Sequence, residues 1–293
     1  AVPTQFVTLF EKQTLSLFPH AVLSEQVHDY NIFVDGGESI ISELGLKKYP
    51  LYPRRTHEAF SSDPLAVLLN AFSKIERDGG GAAVQFLFRH PKQSYRSTYE
   101  EIVKRVKKGM KPGERVFSSA KPKDDTPPEP DQEALELFAE KQKGDIFETN
   151  IRIAVSARDQ HRAKDVLREI EATFGQYAHL TGNQFTFQHR TGSSLRLAEK
   201  AFSFREFNSK TAMPLSETEL STIIHFPGNG IVSSPQFKQA HAATAAAPTD
   251  MPTEGTLLGI NRHRNIEKEI YMTDKDRMRH FYVIGQTGTG KSV

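Results

Sequence analysis

The chain has 293 residues, of which 37% are hydrophobic and 25% are charged, values typical of a globular protein with room for two domains. The formal net charge is +2, from 38 basic and 36 acidic side chains, so the net charge does not predict nucleic-acid binding and any basic surface has to be local. Cysteine is absent, which excludes disulfides, thiolate zinc sites, iron–sulfur clusters and a cysteine nucleophile.

Targeting signals are absent from the sequence itself. No apolar run approaches the roughly 18 to 20 residues that span a bilayer, and the first residues lack a secretory signal pattern. We therefore expect a cytoplasmic protein, peripheral at the inner face of the cell membrane. The chain begins without Met and ends inside a motif, so we expect both ends to be cut from a longer protein that could carry a membrane anchor upstream.

Residues 1–109 predict an N-terminal α/β subdomain. Apolar side chains from Phe6 to Leu17 follow helical spacing, and "AVLSEQVHDYNIFV" reads as short strand-like pieces. A second helix is predicted in "DPLAVLLNAFSKIERDGGG", with Ser62 or Asp63 as its cap. "AAVQFLFRHP" predicts a buried strand and "STYEEIVKRVKKG" a charged surface helix.

The middle of the chain predicts a linker followed by a second α/β unit. Residues 110–144 hold the proline-rich, charged stretch "KPKDDTPPEPDQ" and then a short helix. Residues 145–230 predict a second subdomain with strands in "FETNIRIAVSA" and "NQFTFQHR". An amphipathic helix lies between these strands, with its apolar stripe at Ala163, Val166, Leu167, Ile170 and Phe174.

The C-terminal part predicts a helix, a connector and the start of another domain. "LSETELSTIIHFP" has a capping-box pattern, with Ser216 at the N-cap and Glu219 as its reciprocal partner. Residues 231–256 form a small, polar connector, and residues 257–293 predict short strands that end in an apolar strand. The expected fold class is α/β (α+β): two ferredoxin-like halves, each a sheet covered by helices on one face, followed by the first strands of a further domain.

One motif, at residues 285–293, predicts a binding site. The stretch "GQTGTGKS" fits G-x-x-x-x-G-K-[ST] directly after the apolar "FYVI", as a strand–loop–helix phosphate site requires. Glycines allow successive N–H groups to converge on phosphate oxygens, the lysine reaches the β- and γ-phosphates, and the serine hydroxyl binds Mg²⁺. The predicted nucleotide-binding residues are Gly285, Gln286, Thr287, Gly288, Thr289, Gly290, Lys291, Ser292 and Val293, with Ser292 as the metal ligand and ATP and Mg²⁺ as the cofactors.

"MRHFYVIGQTGTGKS" resembles the nucleotide-binding start of the HerA/FtsK superfamily of hexameric motor ATPases. The resemblance implies that residues 257–293 are the first strands and the phosphate loop of a RecA-like ATPase domain. Within this superfamily the sequence is most similar to the conjugative-transfer and type IV secretion ATPases of bacteria, the TraG/TraD-like coupling proteins. "LSETELSTIIHFPG", "PTEGTLLGINRHR" and "FPHAVLSEQVHDYN" are similar to the N-terminal and joining segments of such proteins. The acidic Walker B strand, the sensor residues and an arginine finger are expected beyond Val293, so the chain as given is expected to be inactive alone.

The resemblance implies an ATP-driven translocase that works as a homo-hexameric ring on single-stranded DNA or on secretion-channel proteins. A second hypothesis is a non-catalytic docking or oligomerisation module in residues 1–230, since no catalytic constellation is found there. A third is a HerA-like translocase in DNA processing, which uses the same loop. Conjugation genes beside the coding sequence would favour the first hypothesis, and nuclease genes would favour the third.

Other charged and metal-ligating residue types carry weaker predictions. "RHR" at 262–264 and "KDRMRH" at 275–280 give local positive charge that could contact DNA phosphates or a neighbouring subunit, although solvated turns are the ordinary interpretation. "KRVKK" at 104–108 is best interpreted as a solvated helix face. The eleven histidines show no metal-ligand spacing, and no nucleophile elbow occurs.

Overall fold

The computed structural model describes residues 2–18, 21, 23, 25, 31–73, 75, 80–112, 129–226, 245–263 and 266–279. The chain forms two compact units. The larger unit runs from Tyr30 to Phe237, and the smaller unit combines Ala1–Asp29 with Lys238–Val293.

A five-stranded antiparallel sheet organises the larger unit. Its strands are β1 (Glu38–Leu46), β2 (Gly80–Arg89), β3 (Ile146–Ala157), β4 (Phe185–Arg190) and β5 (Met213–Ser216). The order is β2-β3-β1-β4, and β5 pairs with the first residues of β3. β3 is the longest strand and is buried from Thr149 onwards, because it has β2 on one side and β1 on the other.

Two helices connect the strands as crossovers. α2 (Leu65–Ser73) joins β1 to β2, and α5 (Gln160–Thr173) joins β3 to β4. With the order β2-β3-β1-β4, these connections form one βαββαβ arrangement. The mixed α/β class is therefore confirmed, but two ferredoxin-like halves with separate sheets are not. Strands from both predicted halves pair with one another because β3 inserts between β1 and β2.

The main core lies between one face of the sheet and the helices α2 and α5. Alternate residues of β3, such as Ile151, Ile153 and Val155, face these helices and are buried. The predicted stripe of α5 is confirmed, since all of its members are buried: Ala163, Val166, Leu167, Ile170 and Phe174. Apolar burial on this face is the principal stabilising contribution to the unit.

Further helices cover the other face and one end of the sheet. α6 (Gly192–Ser203) packs over the opposite face, where Ala198 contacts the cluster around Ile41 and Ala154. α3 (Arg96–Val106) and α4 (Gln132–Lys141) enclose a separate apolar cluster around Phe138. α7 (Glu217–Ile223) directly follows β5 and begins with the predicted capping box.

The smaller unit contains helix α1 (Val7–Leu17), a hairpin of β6 (Thr256–His263) and β7 (Ile266–Met272), and the short helix α8 (Asp274–Arg277). The hairpin is antiparallel, with a register shift between Leu257 and Gly259. The predicted apolar strand at 281–284 lies outside the described residues. A RecA-like start is therefore not confirmed.

Several predicted elements match the structure and others differ. The helices predicted around residues 6–17, 64–73, 96–106 and 132–141 are confirmed with small shifts at their ends. β1 and α6 were not predicted. β2 was expected to be buried on both faces, but it lies at an edge of the sheet and most of its residues are half-exposed. Among the described residues, no helix combines the length and the apolar character needed to cross a membrane.

Candidate functional site

The predicted nucleotide-binding residues, from Gly285 to Val293, lie outside the described residues, as does the preceding stretch from residue 280. The phosphate loop and the assignment of Ser292 to Mg²⁺ therefore remain predictions. The described element that is nearest to the loop in sequence is α8. Its N-cap Thr273 accepts a hydrogen bond from the backbone N–H of Asp276 at 3.2 Å.

Three arginines of the basic stretches before the loop are paired with nearby carboxylates. Arg262 Nε lies 2.7 Å from Glu267 Oε1 across the hairpin. Arg277 and Arg279 lie 3.5 Å and 3.9 Å from aspartates one turn earlier, Asp274 and Asp276. These pairs reduce the local positive charge, which favours the solvated-turn interpretation over a dedicated phosphate contact.

In the larger unit, a row of polar side chains crosses the sheet beneath α6. Register places Gln85 of β2 beside Arg152 of β3, and Arg152 beside Glu43 of β1. Arg152 is almost fully buried, and its Nη1 donates to Gln85 Oε1 at 3.1 Å. Its Nε lies 3.7 Å from Glu43 Oε1. A cation inside a sheet therefore has partners on both neighbouring strands.

Arg152 also holds the segment that follows α6. Its Nη1 donates to the carbonyl of Ala201 at 3.2 Å, and its Nη2 donates to the carbonyl of Glu206 at 2.7 Å. Burial lowers the pKa of Arg152, and the nearby carboxylates of Glu43 and Glu206 only partly oppose this effect. The side chain thus fastens the end of α6 and the following loop to the sheet.

Glu43 connects two cations on this face. One carboxylate oxygen faces Arg152, while the other accepts hydrogen bonds from Arg190 of β4, including one from Nε at 3.2 Å. A single carboxylate between two guanidinium groups leaves an excess of positive charge.

A cavity of about 590 Å³ opens beside these residues. Its lining contains the cations Arg152, Arg190, Lys200 and Lys210 and the carboxylates Glu43 and Glu206. Lys200 and Lys210 are exposed, and neither forms a salt bridge within the described part of the chain. The volume lies in the range of small-molecule sites, and the charge favours an anionic group.

Another cavity, of about 840 Å³, lies between α3, the turn after α4 and the start of α7. Its lining contains the cations Arg96 and Lys143, the imidazole of His90 and the carboxylates Glu100, Asp145 and Glu217. The cations do not outnumber the carboxylates, so the charge of this lining does not favour an anionic ligand.

A buried ionic cluster joins three distant segments of the larger unit. The Glu219 carboxylate lies 3.0 Å from Lys141 Nζ and 3.4 Å from Arg54 Nη2, and the three side chains are at most 1% exposed. Glu219 also accepts hydrogen bonds from the backbone N–H groups of Arg54 and Ser216, both at 2.8 Å. Lys141 Nζ donates in addition to the carbonyl of Pro214 at 3.0 Å.

The cluster contains two cations and one carboxylate. Burial alone raises the pKa of Glu219, but Lys141, Arg54 and two backbone N–H groups outweigh it, so the pKa lies below its usual value. Burial lowers the pKa of Lys141, as does the Arg54 charge, and Glu219 only partly opposes them. Arg54 stacks on Phe185, with its guanidinium carbon 4.2 Å from the ring centre.

Glu219 was predicted only as a capping residue, and Arg54, Lys141 and Arg152 were not predicted as site residues. Two features of the sequence could have indicated that Lys141 and Arg152 are buried. Lys141 continues the apolar stripe of α4 formed by Ala134, Leu137 and Phe138, so it had to be buried. Arg152 interrupts the apolar run of β3, and a charge at such a position requires a partner.

The described histidines form no metal site with neighbouring carboxylates. No group of three His, Asp or Glu residues with metal-binding geometry occurs within the described ranges. Both nitrogens of His225 are engaged, Nε2 with Asp63 Oδ1 at 2.9 Å and Nδ1 with the Ser221 carbonyl at 3.0 Å. Asp63 in turn accepts from the backbone N–H of Leu65 at 2.8 Å, so the contact joins the end of α7 to the start of α2.

A family model described as a domain of unknown function (DUF8128) matches residues 6–239. No curated protein matches the chain. No solved structure matches it either.

Proposed function

Because the chain belongs to the DUF8128 family, whose match ends before the glycine-rich loop, we propose that an N-terminal DUF8128 region precedes the nucleotide-binding loop of an ATP-driven translocase. The observation that supports this proposal is the motif at residues 285–292, which follows an apolar tetrapeptide. The family supplies no function of its own, so the chemistry of the motif carries the proposal.

Each motif residue has a defined task in this proposal. Gly285, Gly288 and Gly290 allow backbone N–H groups to converge on the phosphates of ATP. Lys291 places its ammonium group at the β- and γ-phosphates, where negative charge develops during transfer. Ser292 binds Mg²⁺ through its hydroxyl.

The type of motor follows from the resemblance to conjugative and type IV secretion ATPases. We propose a hexameric ring that moves single-stranded DNA or a secretion substrate at the inner face of the cell membrane. The carboxylate that organises the catalytic water and metal in such motors is not identified in this chain. We therefore assign nucleotide binding to these residues and hydrolysis to the intact gene product.

Nucleotide binding by the intact gene product tests the proposal. We expect saturable, Mg²⁺-dependent binding of a fluorescent ATP analogue, and we expect Lys291→Ala to weaken it by about tenfold or more because it removes a charge at the phosphates. Lys275→Ala is the matched control, since Lys275 is an exposed lysine of α8. Equal affinities of the native protein and Lys291→Ala would contradict the proposal.

A second candidate function is a docking module in the larger unit. The supporting observation is the basic cavity of about 590 Å³, which lies within the DUF8128 match and separate in sequence from the loop. In this case the double variant Lys200→Ala/Lys210→Ala keeps nucleotide affinity but loses a partner that co-purifies with the native protein. Loss of nucleotide affinity in the same variant would count against an independent module.

The third hypothesis, a HerA-like DNA-processing translocase, uses the same loop and differs in its substrate. The gene neighbourhood distinguishes it from conjugative transfer, since nuclease genes favour DNA processing and conjugation genes favour transfer.

A further inference from the structure

β2 leaves one side of its backbone unpaired at the edge of the sheet. It pairs with β3 along all ten residues, from Gly80 opposite Ala157 to Arg89 opposite Glu148, without a register shift. In an antiparallel pair, alternate residues direct their N–H and C=O groups away from the partner strand. Within the described ranges, no backbone group hydrogen-bonds to this outer side of β2.

The two edges of the sheet differ in their protection. β4, at the opposite edge, has only six residues and ends in Gln188, His189 and Arg190. β2 is longer and has no proline, lysine or bulge, the features that usually protect an exposed edge. Its single charged residue, Arg89, is paired with Glu148 at 2.7 Å. A long, regular, nearly uncharged edge of this kind is suited to pairing with another strand.

The side chains of β2 increase in size along the strand. The first half is small (Gly80, Gly81, Ala82 and Ala83) and the second half is large (Phe86, Leu87, Phe88 and Arg89). A strand with such a gradient matches a second copy of itself in the antiparallel direction, because small residues then lie opposite large ones. In a parallel pair, large residues and the two Arg89 charges would instead lie side by side.

We propose that two copies of this protein associate by antiparallel pairing of β2 with β2. A two-fold axis normal to the sheet at Gln85 brings Phe88 opposite Ala82 of the second copy and Leu87 opposite its Ala83. The two sheets then continue into one, and the outward N–H and C=O groups of both strands become hydrogen-bonded. This pairing involves none of the residues of the predicted nucleotide site.

The oligomeric state of the 293-residue chain, measured by light scattering over a range of concentrations, tests the pairing. We expect a dimer, and we expect Leu87→Lys to weaken dimerisation by about tenfold or more, since a lysine on an edge opposes strand addition. Leu87 belongs to no core cluster in the described residues, so the fold should persist. Leu180→Lys is the matched control, because Leu180 is 97% exposed and lies just before β4.

Cross-linking tests the direction of pairing, because the native chain has no cysteine. With a short thiol cross-linker, Ala82→Cys/Phe88→Cys should give a covalent dimer in high yield. Each single variant should give little, since residues 82 and 88 lie opposite each other rather than opposite themselves. These two positions lie about 20 Å apart along one strand, so a cross-link within one copy is excluded.

Three results would overturn the proposal. The first is a monomer at all concentrations. The second is a dimer that Leu87→Lys leaves unchanged, which would place the interface elsewhere. The third is efficient cross-linking of Phe88→Cys alone, which would indicate parallel pairing. If Leu87→Lys lowers the thermal midpoint of unfolding, its loss of dimer could reflect misfolding. In that case the cross-linking yield of Ala82→Cys/Phe88→Cys determines whether the two β2 strands pair.

Discussion

The ammonium group of Lys141 lies 3.0 Å from the Glu219 carboxylate, and both side chains are buried completely or nearly so. Arg54 reaches the other oxygen of the same carboxylate, so one buried anion lies between two buried cations and the cluster keeps an excess of one positive charge. The cluster joins the loop after β1, the end of α4 and the start of α7. Because the cluster has two cations and one carboxylate, removing the carboxylate and removing one cation should change the free energy of unfolding by different amounts.

Glu219→Gln should strongly destabilise the protein. The substitution leaves Arg54 and Lys141 buried without a counter-charge, so we expect the free energy of unfolding to fall by about 3 to 5 kcal/mol. Urea unfolding followed by circular dichroism measures the change. Glu217→Gln, at an exposed position in the same helix turn, is the control and should have little effect. A loss below about 1 kcal/mol for Glu219→Gln would show that the cluster is not ionised as described.

Lys141→Met should have a much smaller effect than Glu219→Gln. It removes the extra cation and leaves a balanced Arg54–Glu219 pair, although the hydrogen bond to the Pro214 carbonyl is lost. We expect a change within about 1 kcal/mol in the same urea experiment. Lys143→Met, at an exposed position two residues later, is the matched control. A loss as large as that of Glu219→Gln would contradict this charge balance.

Stability should depend on pH through Glu219 in the acidic range. Its pKa in the folded protein lies below the value of 4.5 that applies to the unfolded chain. As the pH falls, the unfolded chain binds the proton first, so the stabilisation is complete above pH 4.5 and is lost progressively below it. We expect the free energy of unfolding to fall more steeply below this pH in the native protein than in Glu219→Gln. Equal slopes in a series of urea titrations would contradict the assignment.

Arg152→Met should loosen the segment after α6. The substitution removes the hydrogen bonds to the Ala201 and Glu206 carbonyls and leaves Glu43 with Arg190. We expect a loss of about 2 kcal/mol or more, since bonds from a charged donor are lost in a buried place. Hydrogen exchange should become faster in residues 201–208. Arg196→Met, at an exposed position of α6, is the control, and unchanged exchange in Arg152→Met would refute the fastening role.

Ser292→Ala should affect the metal more than the nucleotide. If the hydroxyl binds Mg²⁺, its removal raises the Mg²⁺ concentration that is needed for half-maximal ATP-analogue binding by the intact gene product. Ser292→Thr is the matched control, because threonine occupies the same position of the motif and keeps the hydroxyl. Identical Mg²⁺ dependence of Ser292→Ala and the native protein would remove Ser292 from the metal site.

Local patterns predicted the local structure well. The stripe of α5 from Ala163 to Phe174 is buried as expected, because helical periodicity is a property of neighbouring residues. The capping box of Ser216 and Glu219 also formed, since both partners lie within one helical turn. β1 was not predicted, because it contains the polar residues Ser42 and Glu43, whose removal from solvent depends on partners elsewhere in the chain.

By itself, the sequence determined the positions of most helices, the strand β3 and the residues of the glycine-rich motif, since each depends on residues close together in the chain. Only the tertiary structure decided that β3 lies between β1 and β2, and therefore that one sheet includes both predicted halves. It also decided that Arg54 and Lys141 converge on Glu219. Strand order and buried ion pairs depend on contacts between distant segments, and residue periodicity does not encode which segments meet.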